Sequence, residues 1–481
     1  MRRFFLPALM LLAVLLASGR PLGSAAPYDA SFTGDTMRID YSQTGGRGIE
    51  AVAVDRIVND GPWPGSRTNL VDDTNLGTYL FEVIDRTTNR VIYSRGFANM
   101  FGEWKTTAEA KDTYRTFSGS LRFPWPKQPV QVVMKQRDRL NAFHEFWSTL
   151  VDPASRQVNR ARLAPLGKVW TLWESGPPAT KVDLLLIGDG YTEAELPKFH
   201  ADATRLVEKM FSVEPYKSRR ADFNVRAIDV AAAESGIHNP RTGVMRRSRV
   251  GTEYNIFDSE RYALDPDNRA WRDIASAAPY DAVEILLNSR YYGGGGIFND
   301  HATVAVDSGS AEYIFVHEFG HHFAGLGDEY YTSDVAYETG AAEKVEPWEP
   351  NVTALHDPAT LKWRDLVEPG TPLPTPWDKD AYEKRSAEIQ SERQRLRASG
   401  APESAMDALF AKQLEFETRF LSTMAHSGKV GAFEGASYEP KGLYRPEADC
   451  IMFSRDPVGF CRVCRRAIER VIDLDTGRAG R

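Results

Sequence analysis

The segment Ser310–Tyr331, SAEYIFVHEFGHHFAGLGDEYY, contains the spacing His-Glu-x-x-His within a stretch that reads as a helix. Residues four apart on a helix lie nearly above one another, so His317 and His321 can point two imidazoles at one metal ion. Glu318, beside the first of them, can hold a water next to that ion. His322 is rotated from His321 by about 100° and faces elsewhere. Ser310 stands where a helix cap is expected, and Ile314, Phe315 and Val316 supply an apolar flank that buries the helix. Gly325 and Gly327 then break it, so the chain can turn back and return a third ligand to the metal. The acidic pair Asp328-Glu329 follows at once. A surface helix carrying histidines by coincidence is the alternative, and the apolar flank argues against it.

A catalytic zinc takes three protein ligands at about 2 Å and keeps a fourth position for water. It lowers the pKa of that water to about 7. Glu318 would accept the water's proton as it attacks a peptide carbonyl, then deliver it to the leaving amine. For the third ligand Asp328 is favoured and Glu329 is its rival. The metzincin zinc peptidases place a glycine three residues, and the third ligand six residues, after the second histidine. Here Gly325 comes four and Asp328 seven residues after His321, a departure of one.

Composition bounds the rest. The chain has 481 residues, 42% apolar and 26% charged, which suits two or three globular domains. A net charge of −7 gives no argument for nucleic acid or an anionic membrane as partner. Met1-Arg2-Arg3 precedes an apolar run from Phe4 to Ala17 and then small residues up to Ala25, the pattern of a secretory signal peptide over residues 1–25. The run is shorter than the ~20 residues that span a bilayer. The mature chain is therefore expected to have no membrane span and to be secreted or periplasmic. Cys450, Cys461 and Cys464 crowd together near the C-terminus. In an exported protein they predict a local disulfide and one leftover thiol, since no histidine lies near enough in sequence to complete a four-ligand zinc site.

Residues 27–160 are strand-rich. Arg38–Tyr41, Thr78–Val83, Arg90–Ser94 and Val130–Met134 are enriched in β-branched and aromatic residues, with turn signals at Thr88-Asn89 and at Asn59-Asp60-Gly61-Pro62. This predicts an all-β, antiparallel sandwich-like N-terminal domain without a catalytic cluster. From residue 165 to 481 the pattern becomes α/β (α+β): apolar strands at 182–187, 223–230 and 282–287, with a helix over 193–211. Gly188-Asp189-Gly190 lacks a full phosphate-binding fingerprint and reads as a tight turn. Gly293 to Gly296 form either a flexible loop or a bare edge on which an extended peptide can pair. A charged helical hairpin is expected at about 378–425, inserted into the catalytic domain.

Asp449-Cys450-Ile451-Met452-Phe453 resembles the methionine turn beneath the zinc of metzincins. Together with HEFGHHFAGLGDEYY, the segment FCRVC, the strand VDLLLIGDGYT and EPNVTALHDPATLKW, it makes the chain resemble the bacterial IgA peptidase family, metallopeptidase family sixty-four. The likeness covers roughly residues 165–470, and the β-rich N-terminal module fits it too. The resemblance implies a metzincin-like catalytic domain with a mixed sheet, using Zn2+ held by His317, His321 and Asp328, with Glu318 as catalytic base and a protein or peptide as substrate. It does not imply that the substrate is immunoglobulin A. Tyr330, Tyr331 and Tyr444 are candidates to hydrogen-bond the tetrahedral intermediate. An exported binding or adhesion protein with a purely structural metal is the competing reading, against which stands the acid beside the first histidine.

Overall fold

The computed structural model describes residues 28–333, 335–339 and 344–478. The leader expected over residues 1–25 lies outside them. A short helix α1 (Tyr28–Ser31) precedes β1 (Phe32–Gly45), β2 (Glu50–Pro62), β3 (Tyr79–Asp85) and β4 (Arg90–Phe97). Helix α2 (Met100–Trp104) follows, then β5 (Arg115–Pro126), β6 (Val130–Arg137), β7 (Phe143–Val151) and β8 (Val158–Arg162). These strands form two four-stranded sheets, ordered β5-β1-β2-β8 and β4-β3-β6-β7. Alternation decides which side chains face in: Tyr79, Phe81 and Val83 of β3 are buried while their neighbours are half-buried. They share one apolar cluster with Ile39, Leu121 and Phe123 of the other sheet, and the Phe81 and Phe123 rings lie 6.3 Å apart.

The turn at Thr88-Asn89 is present, with Asn89 in the left-handed region at φ 53. The turn expected at Asn59–Pro62 is not. Those residues end β2, paired to β1 through Met37↔Asn59 and Asp35↔Pro62. A bulge between Asp35 and Met37 absorbs the irregularity, and Gly61 at φ 89 supplies the conformation that reads as a turn in sequence.

The remaining chain is built on a six-stranded mixed sheet. It comprises β9 (Lys168–Trp173), β10 (Val182–Asp189), β11 (Phe223–Asp229), β14 (Ala282–Leu287), β15 (Gly294–Ile297) and β16 (His301–Ala305), in the order β15-β16-β14-β10-β11-β9. Two short strands, β12 (Glu253–Tyr254) and β13 (Ala263–Leu264), pair beside it. β10, β11, β14 and β16 run parallel, and the edges β9 and β15 run antiparallel to their neighbours. Every residue of β10 is buried, which is why it reads as an unbroken apolar run. Its two faces feed different clusters: Leu184 and Leu186 pack with α3 (Leu196–Met210) and α5 (Ala311–Ala324), Leu185 and Ile187 with α4 (Asn268–Ala275). Phe315, Phe319 and Phe323 anchor α5 in the first of these, each contributing roughly 2 kcal/mol from burial. The hairpin expected at 378–425 is α6 (Lys379–Ala398) and α7 (Glu403–Ser422). After β17 (Phe433–Ala436) and β18 (Glu439–Arg445), α8 (Arg462–Asp475) returns to pack on α5.

The two halves meet through buried polar groups. Arg38 of β1, wholly buried, is held by Asp40, Asp60 and Asp273 of α4. Arg122 of β5 donates to Tyr280 O at 3.0 Å and stacks over that ring. Ala98 N donates to Phe298 O at 2.9 Å. No helix among the described residues is long and apolar enough to cross a membrane.

Candidate metal centre

Helix α5 begins at Ala311 with Ser310 in the cap position, but the Ser310 side chain makes no capping bond. Ser308 does that work instead, its Oγ accepting from Ser310 N at 3.3 Å and its carbonyl from Ala311 N at 3.0 Å. At the far end Gly325 adopts φ 60, so Gly325 N reaches His321 O at 3.0 Å and Leu326 N reaches Gly320 O at 3.2 Å. The chain then folds back beneath the helix. Asn351 fixes that return, accepting from Gly327 N at 2.8 Å and donating to Gly327 O at 2.9 Å.

This path brings three donor atoms together. His317 Nε2 and His321 Nε2 are 3.1 Å apart, and Asp328 Oδ1 lies 3.0 Å from the first and 3.2 Å from the second. His317 Nδ1 sits 2.9 Å from Ile451 O and His321 Nδ1 2.5 Å from Leu326 O. A carbonyl can only accept, so each Nδ1 carries a hydrogen, which leaves the Nε2 of each neutral imidazole as the atom able to ligate a metal at the common point. Two lone pairs and a carboxylate oxygen at such separations repel unless a cation or protons lie between them. Tetrahedral ligands about 2.0–2.1 Å from a zinc ion are roughly 3.3 Å from one another, so the donor triangle fits that ion. Tyr438 OH donates to the outer oxygen, Asp328 Oδ2.

The electrostatics agree with the geometry. Burial alone would raise the pKa of Asp328, yet the His321 and His317 imidazoles hold it well below the usual carboxylate range. Burial would lower His321, but the Asp328 carboxylate carries it up to about 9. The pocket is therefore built to hold positive charge. Glu318 is pushed above its ordinary value by burial, against the pull of His317 and His321. His322 faces away, as its rotation predicts: its Nδ1 donates to Ile297 O at 3.0 Å, its Nε2 accepts from Val283 N at 3.1 Å, and burial lowers it to about 4, so it is neutral.

Glu318, His321 and Asp328 line a cleft of about 370 Å³, closed on one side by the glycines of β15 and on another by Thr78, Gly102 and Glu103 of the N-terminal half. The glycines allow contact between helix and strand: a Cβ on Gly296 would fall 2.4 Å from Glu318 O. The bare edge expected there is partly covered, because Gly294 is bridged to Tyr262 and its N–H donates to Arg261 O at 3.2 Å. Met452 is fully buried against the underside of α5, where a Cβ on Gly320 would lie 3.1 Å from its Sδ.

Of the tyrosines singled out from sequence, Tyr330 lines the cleft, with its ring 6.2 Å from that of His317 and its hydroxyl accepting from Arg261 Nη2 at 3.1 Å. Tyr331 is buried against Trp377 and Tyr382, and Tyr444 exchanges backbone bonds with Thr353. Tyr438 and Arg261 were not legible. Tyr438 reaches the site because Ser437 and Tyr438 both adopt positive φ in the tight connection between β17 and β18, and no glycine or asparagine marks that conformation in the sequence.

Glu329 turns the other way. Its N–H donates to Met452 O at 2.8 Å and its Oε1 lies 3.2 Å from Cys464 Sγ. Cys450, Cys461 and Cys464 are all buried free thiols, with Cys450 Sγ 3.9 Å from Cys464 Sγ. The expected disulfide is therefore replaced by a group of four side chains, whose fourth member sits far away in sequence.

Residues 170–472 match the family described as IgA Peptidase M64, and residues 27–148 match the family described as Peptidase M64 N-terminus. No curated protein matches the chain.

Proposed function

The chain belongs to the M64 peptidase family, and we propose that it is an exported, zinc-dependent endopeptidase whose catalytic base is Glu318. The observation that carries this reading is the convergence of His317 Nε2, His321 Nε2 and Asp328 Oδ1 on one point at the wall of the cleft, with Glu318 on the same wall. Bound there, zinc supplies a Lewis acid that polarises a peptide carbonyl and acidifies an attacking water. Ile451 and Leu326 carbonyls hold the two imidazoles in the ligating tautomer. Tyr438 orients Asp328 by binding its outer oxygen. Glu318 accepts a proton from the water and passes it to the departing amine, work suited to a carboxylate whose pKa burial has raised. Arg261 and Tyr330 stand on the cleft wall, where they can donate to a carbonyl oxygen as it gains charge.

The wider assignment follows from this reading: a leader at 1–25, a β-sandwich-like domain at 27–160, and a metzincin-like catalytic domain at 165–481. The test is Glu318→Gln assayed on a broad peptide library with zinc measured alongside. Loss of cleavage with zinc retained supports the mechanism, and full activity in that variant sinks it. A wild-type chain that holds zinc and cuts no peptide in the library supports the binding-protein alternative instead.

A further inference from the structure

We propose that Glu329, Cys450, Cys461 and Cys464 form a second metal site, structural and zinc-type, directly beneath the catalytic one. The four side chains are buried, and one donor atom from each lies within 4.8 Å of the others. Tetrahedral sulfurs about 2.3 Å from zinc are roughly 3.8 Å apart, and a sulfur and a carboxylate oxygen roughly 3.5 Å apart. Here Cys450 Sγ and Cys464 Sγ are 3.9 Å apart, while Glu329 Oε1 lies 3.2 Å from Cys464 Sγ and 4.0 Å from Cys461 Sγ.

Two of the three sulfurs meet backbone donors. Cys461 N–H points at Cys450 Sγ at 3.2 Å and Cys464 N–H at Cys461 Sγ at 3.5 Å, backbone donors that favour charged sulfur. Cys461 caps the N-terminus of α8, where the helix dipole also favours negative charge. Asn351 Nδ2 holds Glu329 Oε1 at 2.9 Å, while the second carboxylate oxygen, Oε2, is buried without a hydrogen-bond partner. The buried Arg445 guanidinium acts on the same carboxyl group, and a bound cation would give its Oε2 the partner it lacks. A Cys450–Cys464 disulfide would leave Cys461 as a buried lone thiol and Glu329 Oε2 still without a hydrogen-bond partner. Three sulfurs and one oxygen, with no fifth donor among them, select zinc or a similarly soft divalent ion and leave no open position for chemistry. As the ion binds, the thiol protons leave to solvent.

The site joins three distant segments: the return loop after α5, the methionine turn and the start of α8. Each carries something the upper site uses. Asp328 precedes Glu329, and Ile451, whose carbonyl holds His317 Nδ1, follows Cys450. The lower ion therefore fixes the floor on which the upper donors stand.

Zinc content and zinc-edge X-ray absorption decide it, on the full chain and on the double variant H317A/H321A. The wild type should carry about two zinc ions per chain and the histidine variant about one, with sulfur neighbours at about 2.3 Å. C461S/C464S should lose that sulfur-bound zinc. Should this variant fail to fold, titrating the wild-type thiols with a mercurial must release one zinc per three thiols. No zinc in the histidine variant, zinc there without sulfur neighbours, or a native disulfide found by alkylating the unreduced chain overturns the proposal. One zinc in the wild type, bound by sulfur, would uphold it while removing the zinc from the peptidase reading.

Discussion

Asp328 and Glu329 are adjacent and serve opposite sides of the same strand of chain: Asp328 Oδ1 lies 3.0 Å from His317 Nε2, and Glu329 Oε1 lies 3.2 Å from Cys464 Sγ. Successive side chains on extended backbone point to opposite faces, so a choice between two acids in the sequence becomes a division of labour in space.

Substituting the two acids separately should therefore give different metal losses. Asp328→Ala removes one corner of the histidine triangle and should weaken zinc there by at least the roughly 10- to 100-fold that loss of a supporting contact costs. Competition with a chelator measures it. Glu329→Ala should instead remove the sulfur-bound ion. If Glu329→Ala empties the histidine site and Asp328→Ala does not, the ligand assignment is wrong.

Glu318→Gln keeps the size of the side chain and removes its capacity to accept a proton. Peptide hydrolysis should fall roughly 100- to 10,000-fold or more, with zinc content unchanged by mass spectrometry.

Tyr438→Phe deletes only the hydroxyl that binds Asp328 Oδ2. Zinc affinity should drop about 10-fold, the lower end for loss of an outer-sphere partner. An unchanged affinity would show that the backbone alone orients the carboxylate.

The metal-free chain should have a pH dependence opposite to that of a protein with paired carboxylates alone. His321 rises from 6.5 to about 9 in the fold, so its contribution is fully present below 6.5 and is lost as pH climbs through about 9. That gap corresponds to roughly 3 kcal/mol. Asp328 is lowered, so its contribution is present above the ordinary 3.8 and lost as pH falls further. Thermal melting of chelator-treated protein should show stability declining from pH 6.5 to 9, and added zinc should abolish that decline, because the ion replaces the proton.

Gly296→Ala forces a Cβ to within 2.4 Å of Glu318 O. Overpacking of this kind costs about 1–3 kcal/mol, and here the displaced backbone carries the base. Denaturant midpoint and kcat should fall together, whereas Gly370→Ala, where a Cβ meets nothing but φ is 85, should lower only the midpoint.

What could be read in the sequence was what depends on local spacing. His317, His321 and the rotation of His322 follow from the helical repeat, and the buried strands β10, β11 and β14 announce themselves as apolar runs. Strands β7 and β8 did not, because their outward faces are largely exposed and their composition is mixed. Tyr438 and the Glu329–cysteine group escaped for another reason. Each is brought in by a chain reversal more than a hundred residues away from its partner, and nothing local encodes such a meeting.

The cleft has one further consequence. Thr78, Gly102 and Glu103 come from the segment that matches the N-terminal family model and His321 and Asp328 from the segment that matches the peptidase model, so the trench runs along the seam between them. Severing the chain after Arg162 would leave the ion-binding helix with one bank missing. Exchanging the first half for that of a relative should alter that bank of the trench while leaving His317, His321 and Asp328 in place.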